Sequence, residues 1–195
     1  MLRMSRVPSI APQTGTAAQI LDVAERLVQT RGYNGFSYAD IASELGVTKA
    51  TLHYHFRTKA ELGGRLMVRY TESFGSALAS IGVAESSALE KLQSYVQLYG
   101  EVIRDERMCL CGMLAAEYAT LPPPIQVEIR RFFDVNEQWL TTVVEQGRDA
   151  NTLRFDGAPA EMARLLVSTI EGAMLIARSY GDPARFDASA RRVAV

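Results

Sequence analysis

The twelve residues from Thr48 to Lys59 concentrate hydrogen-bond donors: Lys49, Thr51, His53, Tyr54, His55 and Lys59, with the small Ala50 among them. This set suits an anionic groove. A lysine reaches guanine acceptors, a threonine offers a hydroxyl and a methyl to either base pair, and tyrosine, histidine and lysine donate to phosphates. His53 and His55 stand two apart, so a helix points them to different faces, and no third ligand is close in sequence; no metal site is expected. Cys109 and Cys111 would diverge by about 200° on a helix, a poor geometry for a disulfide. Oxidation or alkylation of these thiols is the alternative switch the sequence leaves open. Glu117 and Glu171 are acids set among apolar neighbours, the setting of a counter-ion for a cationic ligand. There is no nucleophile–base constellation, phosphate-binding glycine loop or metal cluster in the pattern, so neither an enzyme nor a cofactor is expected.

Helix signals surround the donor set. Thr16 with Gln19 reads as a capping box, and Ile20, Val23, Ala24, Leu27 and Val28 share one face, so a helix is expected over about 17–31 with Gly32 just beyond it. Ser37 with Asp40 is a second box, flanked by the staple pair Phe36 and Ile41, for a short helix over about 38–44 closed by Gly46. Thr48 is the N-cap of the donor-bearing helix, with Val47 and Leu52 in staple positions. Thr58 with Glu61 opens a longer helix through Leu62, Leu66, Met67, Tyr70, Phe74 and Leu78. Within it Gly63-Gly64 costs about 1 kcal/mol per glycine and marks either a bend or a tight backbone contact. Two short helices joined by a glycine turn, preceded by a third, have the make-up of a helix-turn-helix.

The run from Phe36 to Leu62, with its Asp-Ile-Ala, Leu-Gly-Val, Thr-Leu and Tyr-His-Phe elements followed by Thr-Lys-x-x-Leu, resembles the N-terminal domain of TetR-type transcriptional regulators over about residues 16–65. Beyond residue 70 the likeness is one of size and helical layout. The resemblance implies an all-α chain: an N-terminal three-helix helix-turn-helix domain and a C-terminal helical domain for ligand binding and dimerisation. It implies a homodimer that binds a double-stranded operator and releases it when a small-molecule effector occupies the second domain, a repressor with an activator of the same fold as the alternative. The DNA contacts expected are Ser37, Thr48, Lys49, Ala50, Thr51, His53, Tyr54, His55 and Lys59. At His53 the family commonly has tyrosine, so that residue either reads a base or fills space.

The rest of the chain is also helical in pattern. A helix over about 87–105 carries Leu89, Leu92, Tyr95, Val96, Tyr99, Val102 and Ile103; another over about 109–119 ends before Pro122-Pro123-Pro124. Ile125, Ile129, Phe132, Asn136, Trp139 and Val143 then step by four and three, and a last strong helix over about 159–180 carries Met162, Leu165, Leu166, Ile170, Ala173 and Met174. Those two helices are the expected four-helix dimer interface, through Ile129, Asn136, Val143, Leu166, Ile170 and Ala173. A dimer is expected because one helix-turn-helix covers too little DNA for specific regulation. Tyr70, Phe74, Tyr95, Tyr99, Met113, Glu117, Tyr118, Phe132, Trp139 and Met174 are the candidate ligand-pocket residues.

Composition fits this layout. Of the 195 residues 48% are hydrophobic and 22% charged, with a formal net charge of -1. That small total hides an asymmetry: residues 1–70 hold nine Lys/Arg against five Asp/Glu, and the remainder twelve against seventeen. A basic N-terminal unit on an acidic remainder points to an anionic partner at one end. No run reaches the roughly 18 apolar residues of a membrane span, and the first residues lack the apolar core of a secretory signal, so a cytoplasmic protein is expected. The anticipated organisation is a flexible arm over 1–13, the helix-turn-helix over 14–62 and an effector and dimerisation domain over 63–195.

Overall fold

The computed structural model describes residues 15–193, and among these the regular structure is helical with no strand. The anticipated arm over 1–13 lies outside the described residues. The helices are α1 (Thr16–Arg31), α2 (Tyr38–Leu45), α3 (Lys49–His55), α4 (Lys59–Ala84), α5 (Ala88–Arg104), α6 (Leu110–Ala116), α7 (Pro123–Asp149), α8 (Pro159–Tyr180) and α9 (Pro183–Val193), with a single 3-10 turn over Tyr118–Thr120. The chain forms two compact units. One runs to Ser73 and takes in Leu110–Arg130; the other holds Phe74–Cys109 and the chain from Arg131 onward. The cut falls inside α4 rather than at the 62/63 edge of the sequence motif.

In the first unit the expected caps form, with one exception. Ser37 Oγ accepts from Ala39 N at 3.2 Å while Asp40 accepts from Ser37 N at 2.7 Å, the reciprocal capping box that starts α2. Gly46 takes the left-handed conformation that ends it. Thr48 Oγ1 accepts from Thr51 N at 3.2 Å and starts α3. The exception is α1: Thr16 lies inside the first turn and Gly15 precedes it, so the Thr16–Gln19 box does not form. The core is Ile20, Ala24, Leu27, Ile41, Leu52, Leu62 and Leu66, all closed from solvent. Arg69 on α4 ties to α1 through Asp22 at 2.7 Å and Glu25 at 2.8 Å.

Helix α4 runs unbroken through both glycines. A Cβ on Gly63 would stand 2.5 Å from Ile125 Cδ1 and 3.0 Å from Tyr33 Cε2, whereas one on Gly64 would meet nothing within 4 Å. Gly63 is therefore the tight backbone contact.

In the second unit Leu78, Leu92, Tyr95, Phe132, Leu140, Val144, Ile170, Met174 and Phe186 form the interior. Here the structure corrects three expectations. Pro123 and Pro124 do not merely break a helix; they occupy the first turn of α7, where a missing N–H costs nothing. α9 was not anticipated: Asp182 Oδ1 caps it by accepting from Ala184 N at 3.0 Å, and it buries Phe186 and Ala190. Finally, Ile129, Asn136, Val143, Leu166, Ile170 and Ala173 are buried within the single chain, so the stripes read as an interface are core. The apolar side chains α8 leaves in solvent lie one step around the helix: Leu165 (58% exposed), Ile176 (56%), Leu175 and Tyr180.

Candidate nucleic-acid interface and buried acid

The caps that start α2 and α3 bring their N-terminal ends beside one cleft, of about 360 Å³, lined by Phe36, Ser37, Tyr38, Ala39, Lys49, His53 and Lys59. Lys49 and Ala50 are exposed on the first turn of α3, and Tyr54 is 84% exposed with its ring 5.1 Å from that of His55. Thr51 is half-buried, its hydroxyl 3.0 Å from that of Thr48, so one of the two hydroxyls donates to the other. His53 Nδ1 lies 3.1 Å from Arg57 O and the ring packs 4.8 Å from Tyr38, which fixes its orientation while leaving it exposed. The Tyr38 hydroxyl donates to Phe56 O at 2.8 Å; burial, then the nearby Glu61 and Tyr33, push its pKa up to about 12.

Lys59 is placed differently from expectation. Its ammonium donates to Tyr33 O and Phe36 O and sits over both rings, 4.5 Å and 4.2 Å from their centroids. Partial burial lowers its pKa, opposed by Glu117 and Asp40. Two of three N–H groups are thus held internally, and Lys59 secures the corner after α1 before it meets any phosphate.

Glu117 belongs to the same corner. Its carboxylate accepts from Tyr33 N at 2.6 Å and from Asn34 N at 3.3 Å, and the adjacent Thr120 hydroxyl accepts from Asn34 Nδ2 at 2.9 Å. A Cβ on Gly32 would lie 2.8 Å from Glu117 Oε1, so this turn needs glycine for space as well as for its positive φ. The segment after α6 is therefore latched to the end of α1. Tyr118, another pocket candidate, accepts at its hydroxyl from Arg130. Tyr70, Met113, Glu117 and Tyr118 all fall in the first unit, apart from the other candidates.

Those others gather in the second unit. Phe74 lies 5.0 Å from Phe132, 5.6 Å from Tyr99 and 6.3 Å from Tyr95, and Trp139 stacks on Tyr95 at 5.7 Å. Met174 is fully buried. The Tyr95 hydroxyl donates to Asn136 Oδ1 at 2.9 Å, the Tyr99 hydroxyl lies 3.2 Å from both, and Asn136 Nδ2 donates to Phe132 O at 2.8 Å. Asn136, expected to set dimer register, is instead the hub of a buried tyrosine network. Burial raises both phenols. Glu171 on α8 completes the group: both carboxylate oxygens are closed from solvent and meet no oxygen or nitrogen donor. Burial, then the neighbouring Cys109 through its charge and its thiol hydrogen bond, hold its carboxyl well above the usual range. Cys109 and Cys111 are both buried.

A small helical head that offers Lys49, Thr51 and Tyr54 from the second helix of a helix-turn-helix defines a DNA-binding protein. Residues 20–65 match the bacterial regulatory proteins of the tetR family, and residues 88–193 match the tetracycline repressor-like C-terminal domain. The chain belongs to the TetR family of transcriptional regulators. A TetR-family regulator from Agrobacterium tumefaciens is 35% identical, with a TM-score of 0.89 over 94% of this chain and 97% of that one. The transcriptional repressor DhaR of Mycobacterium sp. (strain GP1) is 25% identical over 84% of this chain and 82% of its own length. A transcriptional regulator of Saccharomonospora viridis, solved in complex with choline, is 26% identical, with a TM-score of 0.80 over 93% of this chain and 94% of that one. Among the described residues no helix is long and apolar enough to cross a membrane.

Proposed function

We propose that this chain is an effector-responsive transcriptional repressor, a cytoplasmic homodimer that holds an operator and releases it when a small molecule binds its second unit. The observation that carries the reading is the exposed donor face of α3 beside the cleft at the start of α2. Lys49 and Thr51 read base edges in the major groove, Ala50 lets the backbone approach, and Tyr54, His55 and the remaining Lys59 donor hold phosphates, with Ser37 and Thr48 at the helix ends. Repression rather than activation is supported by the likeness to DhaR, a repressor.

The dimer forms through the exposed face of α8, where Leu165, Leu175, Ile176 and Tyr180 offer an apolar strip to its symmetry mate. Effector binding shifts the population of dimers away from the spacing that fits two half-sites. Two features link the units along the chain. α4 passes unbroken from one into the other, and Cys109 leads directly into α6, whose far end carries the Glu117 latch on Tyr33 and Asn34. A thiol switch gains less support: both cysteines are buried, and the ionisable group beside Cys109 is a carboxyl, whereas a reactive thiol needs exposure and a cationic neighbour.

The test is binding to duplexes from the DNA upstream of the chain's own gene, measured by fluorescence anisotropy against salt. The wild type is expected to bind one duplex in preference to scrambled DNA, with log Kd rising linearly with log salt concentration. Lys49→Ala is expected to lose about tenfold or more through one base contact, about 1–3 kcal/mol. Equal affinity for all duplexes, or no effect of Lys49→Ala, would overturn the assignment.

A further inference from the structure

Among the described residues Glu171 is the buried acid of the second unit whose oxygens meet no oxygen or nitrogen donor; the thiol of Cys109, a weak donor, is the hydrogen-bonding group beside it. Among the described residues the buried side-chain atoms without an oxygen or nitrogen partner are Thr71 Oγ1 and the two Glu171 oxygens. Around Glu171 the polar groups are already committed to one another: the Tyr95 and Tyr99 hydroxyls to Asn136 Oδ1, and Asn136 Nδ2 to Phe132 O. An isolated buried carboxyl costs several kcal/mol unless it is neutral or paired, and folded chains keep such a group where something else supplies the partner. A metal ion does not fit the donor set, because among the described residues no three His, Cys, Asp or Glu side chains converge.

The walls narrow the partner further. Phe74, Tyr95, Tyr99 and Trp139 bring four rings together with centroid separations of 5.3 to 6.3 Å, and Phe74 and Trp139 are only half-buried, so the cluster is not sealed on their side. Ring faces carry negative quadrupoles and attract cations, most strongly where water is excluded. A buried carboxyl faced by a weak thiol donor beside clustered rings meets both needs of an organic cation, charge neutralisation and a polarisable apolar wall.

We propose that Glu171 is the anionic end of the effector site, and that the effector is a small organic cation, an amine or a quaternary ammonium, seated against Phe74, Tyr95, Tyr99 and Trp139. The proposal rests on the effector-responsive reading above and names the ligand class that this reading leaves open. When the cation enters, Glu171 ionises against it and its proton leaves to solvent; the tyrosine network stays intact because it needs nothing from the ligand. Cys109, which faces Glu171, begins the segment that leads into α6, so a ligand that draws Glu171 toward itself acts next to the chain leading to the Glu117 latch.

Trp139 is the chain's single tryptophan, which makes its fluorescence a reporter of this site. The full-length protein would be titrated at constant ionic strength with choline, tetramethylammonium and benzylamine, and in parallel with their neutral counterparts 3,3-dimethylbutan-1-ol and benzyl alcohol. At least one cation is expected to give a saturable change, with its neutral counterpart at least tenfold weaker, and to release DNA in the anisotropy assay. Glu171→Gln, an isosteric neutral change, is expected to weaken cation binding at least tenfold, with its fold checked by circular dichroism. Phe74→Leu removes a ring without touching the acid and is expected to weaken it at least threefold. Neutral counterparts binding as well as cations, cation affinity unchanged in Glu171→Gln, or no saturable change with any cation would overturn the cation site. A protein that binds no DNA in any duplex would overturn the regulator reading, and this effector role with it. DNA binding that persists unperturbed while no cation binds would overturn the cation site alone.

Discussion

Gly63 and Gly64 are adjacent in one helix yet face different surroundings, and replacing each by alanine separates helix propensity from packing. An alanine in a helix interior is favoured over glycine by about 1 kcal/mol. At Gly64, where a Cβ meets nothing within 4 Å, that gain is expected whole, so Gly64→Ala stabilises by about 1 kcal/mol. At Gly63 the new methyl would stand 2.5 Å from Ile125 Cδ1 and 3.0 Å from Tyr33 Cε2, and both residues are buried. Overpacking of this kind costs about 1–3 kcal/mol, so Gly63→Ala is expected between neutral and about 2 kcal/mol destabilising. Urea unfolding followed by circular dichroism gives the difference between the two variants as about 1–3 kcal/mol. Ile125→Val sharpens the test, since it removes Cδ1, the closest atom. Alone it costs about 0.5–1.5 kcal/mol, and in the Gly63→Ala background it is expected to cost less or to stabilise. If the two alanines differ by less than about 0.5 kcal/mol, or Ile125→Val costs the same in both backgrounds, the tight contact does not govern this part of α4.

Two further outcomes follow from the geometry. Leu165→Glu with Ile176→Glu places charges on the exposed apolar strip of α8 without entering the core, so the variant is expected to keep its helicity, sediment as a monomer and lose operator affinity by a hundredfold or more; a variant that still sediments as a dimer would exclude this face. Glu171 also predicts a pH dependence. Its folded carboxyl titrates above the unfolded one, so between the two values the folded state binds more protons, and stability falls as pH rises through that window. Cys109, Tyr95 and Tyr99 face it, and burial raises both phenols, so neither phenol reverses the sign. Glu171→Gln is expected to flatten this slope and to gain stability over wild type toward higher pH, read by thermal melts from pH 4 upward; parallel curves would show that the acid is not held neutral.

The DNA-reading head was legible because its signals are local. Ser37 with Asp40, Gly46 and Thr48 each act within four residues, and their caps form in the structure as the spacing implies. The burial of the stripes expected at an interface was not legible because periodicity reports that a face is apolar without saying what covers it: α8 has apolar side chains on both its inner face, through Leu166 and Ile170, and its outer one, through Leu165 and Ile176. The internal partners of Lys59 and Glu117 were not legible for a related reason. Their partners, the Tyr33 and Phe36 carbonyls and the Tyr33 and Asn34 amides, are backbone groups distant in sequence, and no side-chain pattern encodes them. The α9 signal, Asp182 followed by Pro183 at a helix start, is present and local.

Three polar side chains placed in apolar surroundings show how the chain separates structure from response. Lys59 is held by two carbonyls and two rings, and Asn136 by two phenols and a carbonyl, so each finds its partners inside the protein and fixes a corner of its unit. Glu171 is faced by a weak thiol donor. A ligand shifts a conformational equilibrium only by the difference in its affinity for the two states, and moving a population from mostly bound to mostly released takes about 5 kcal/mol of such difference. Neither of the satisfied groups can supply that difference, because a ligand that engaged them would first have to break bonds of equal worth. In the cation site proposed above, an acid faced by a weak thiol donor can, since pairing it with a cation displaces little.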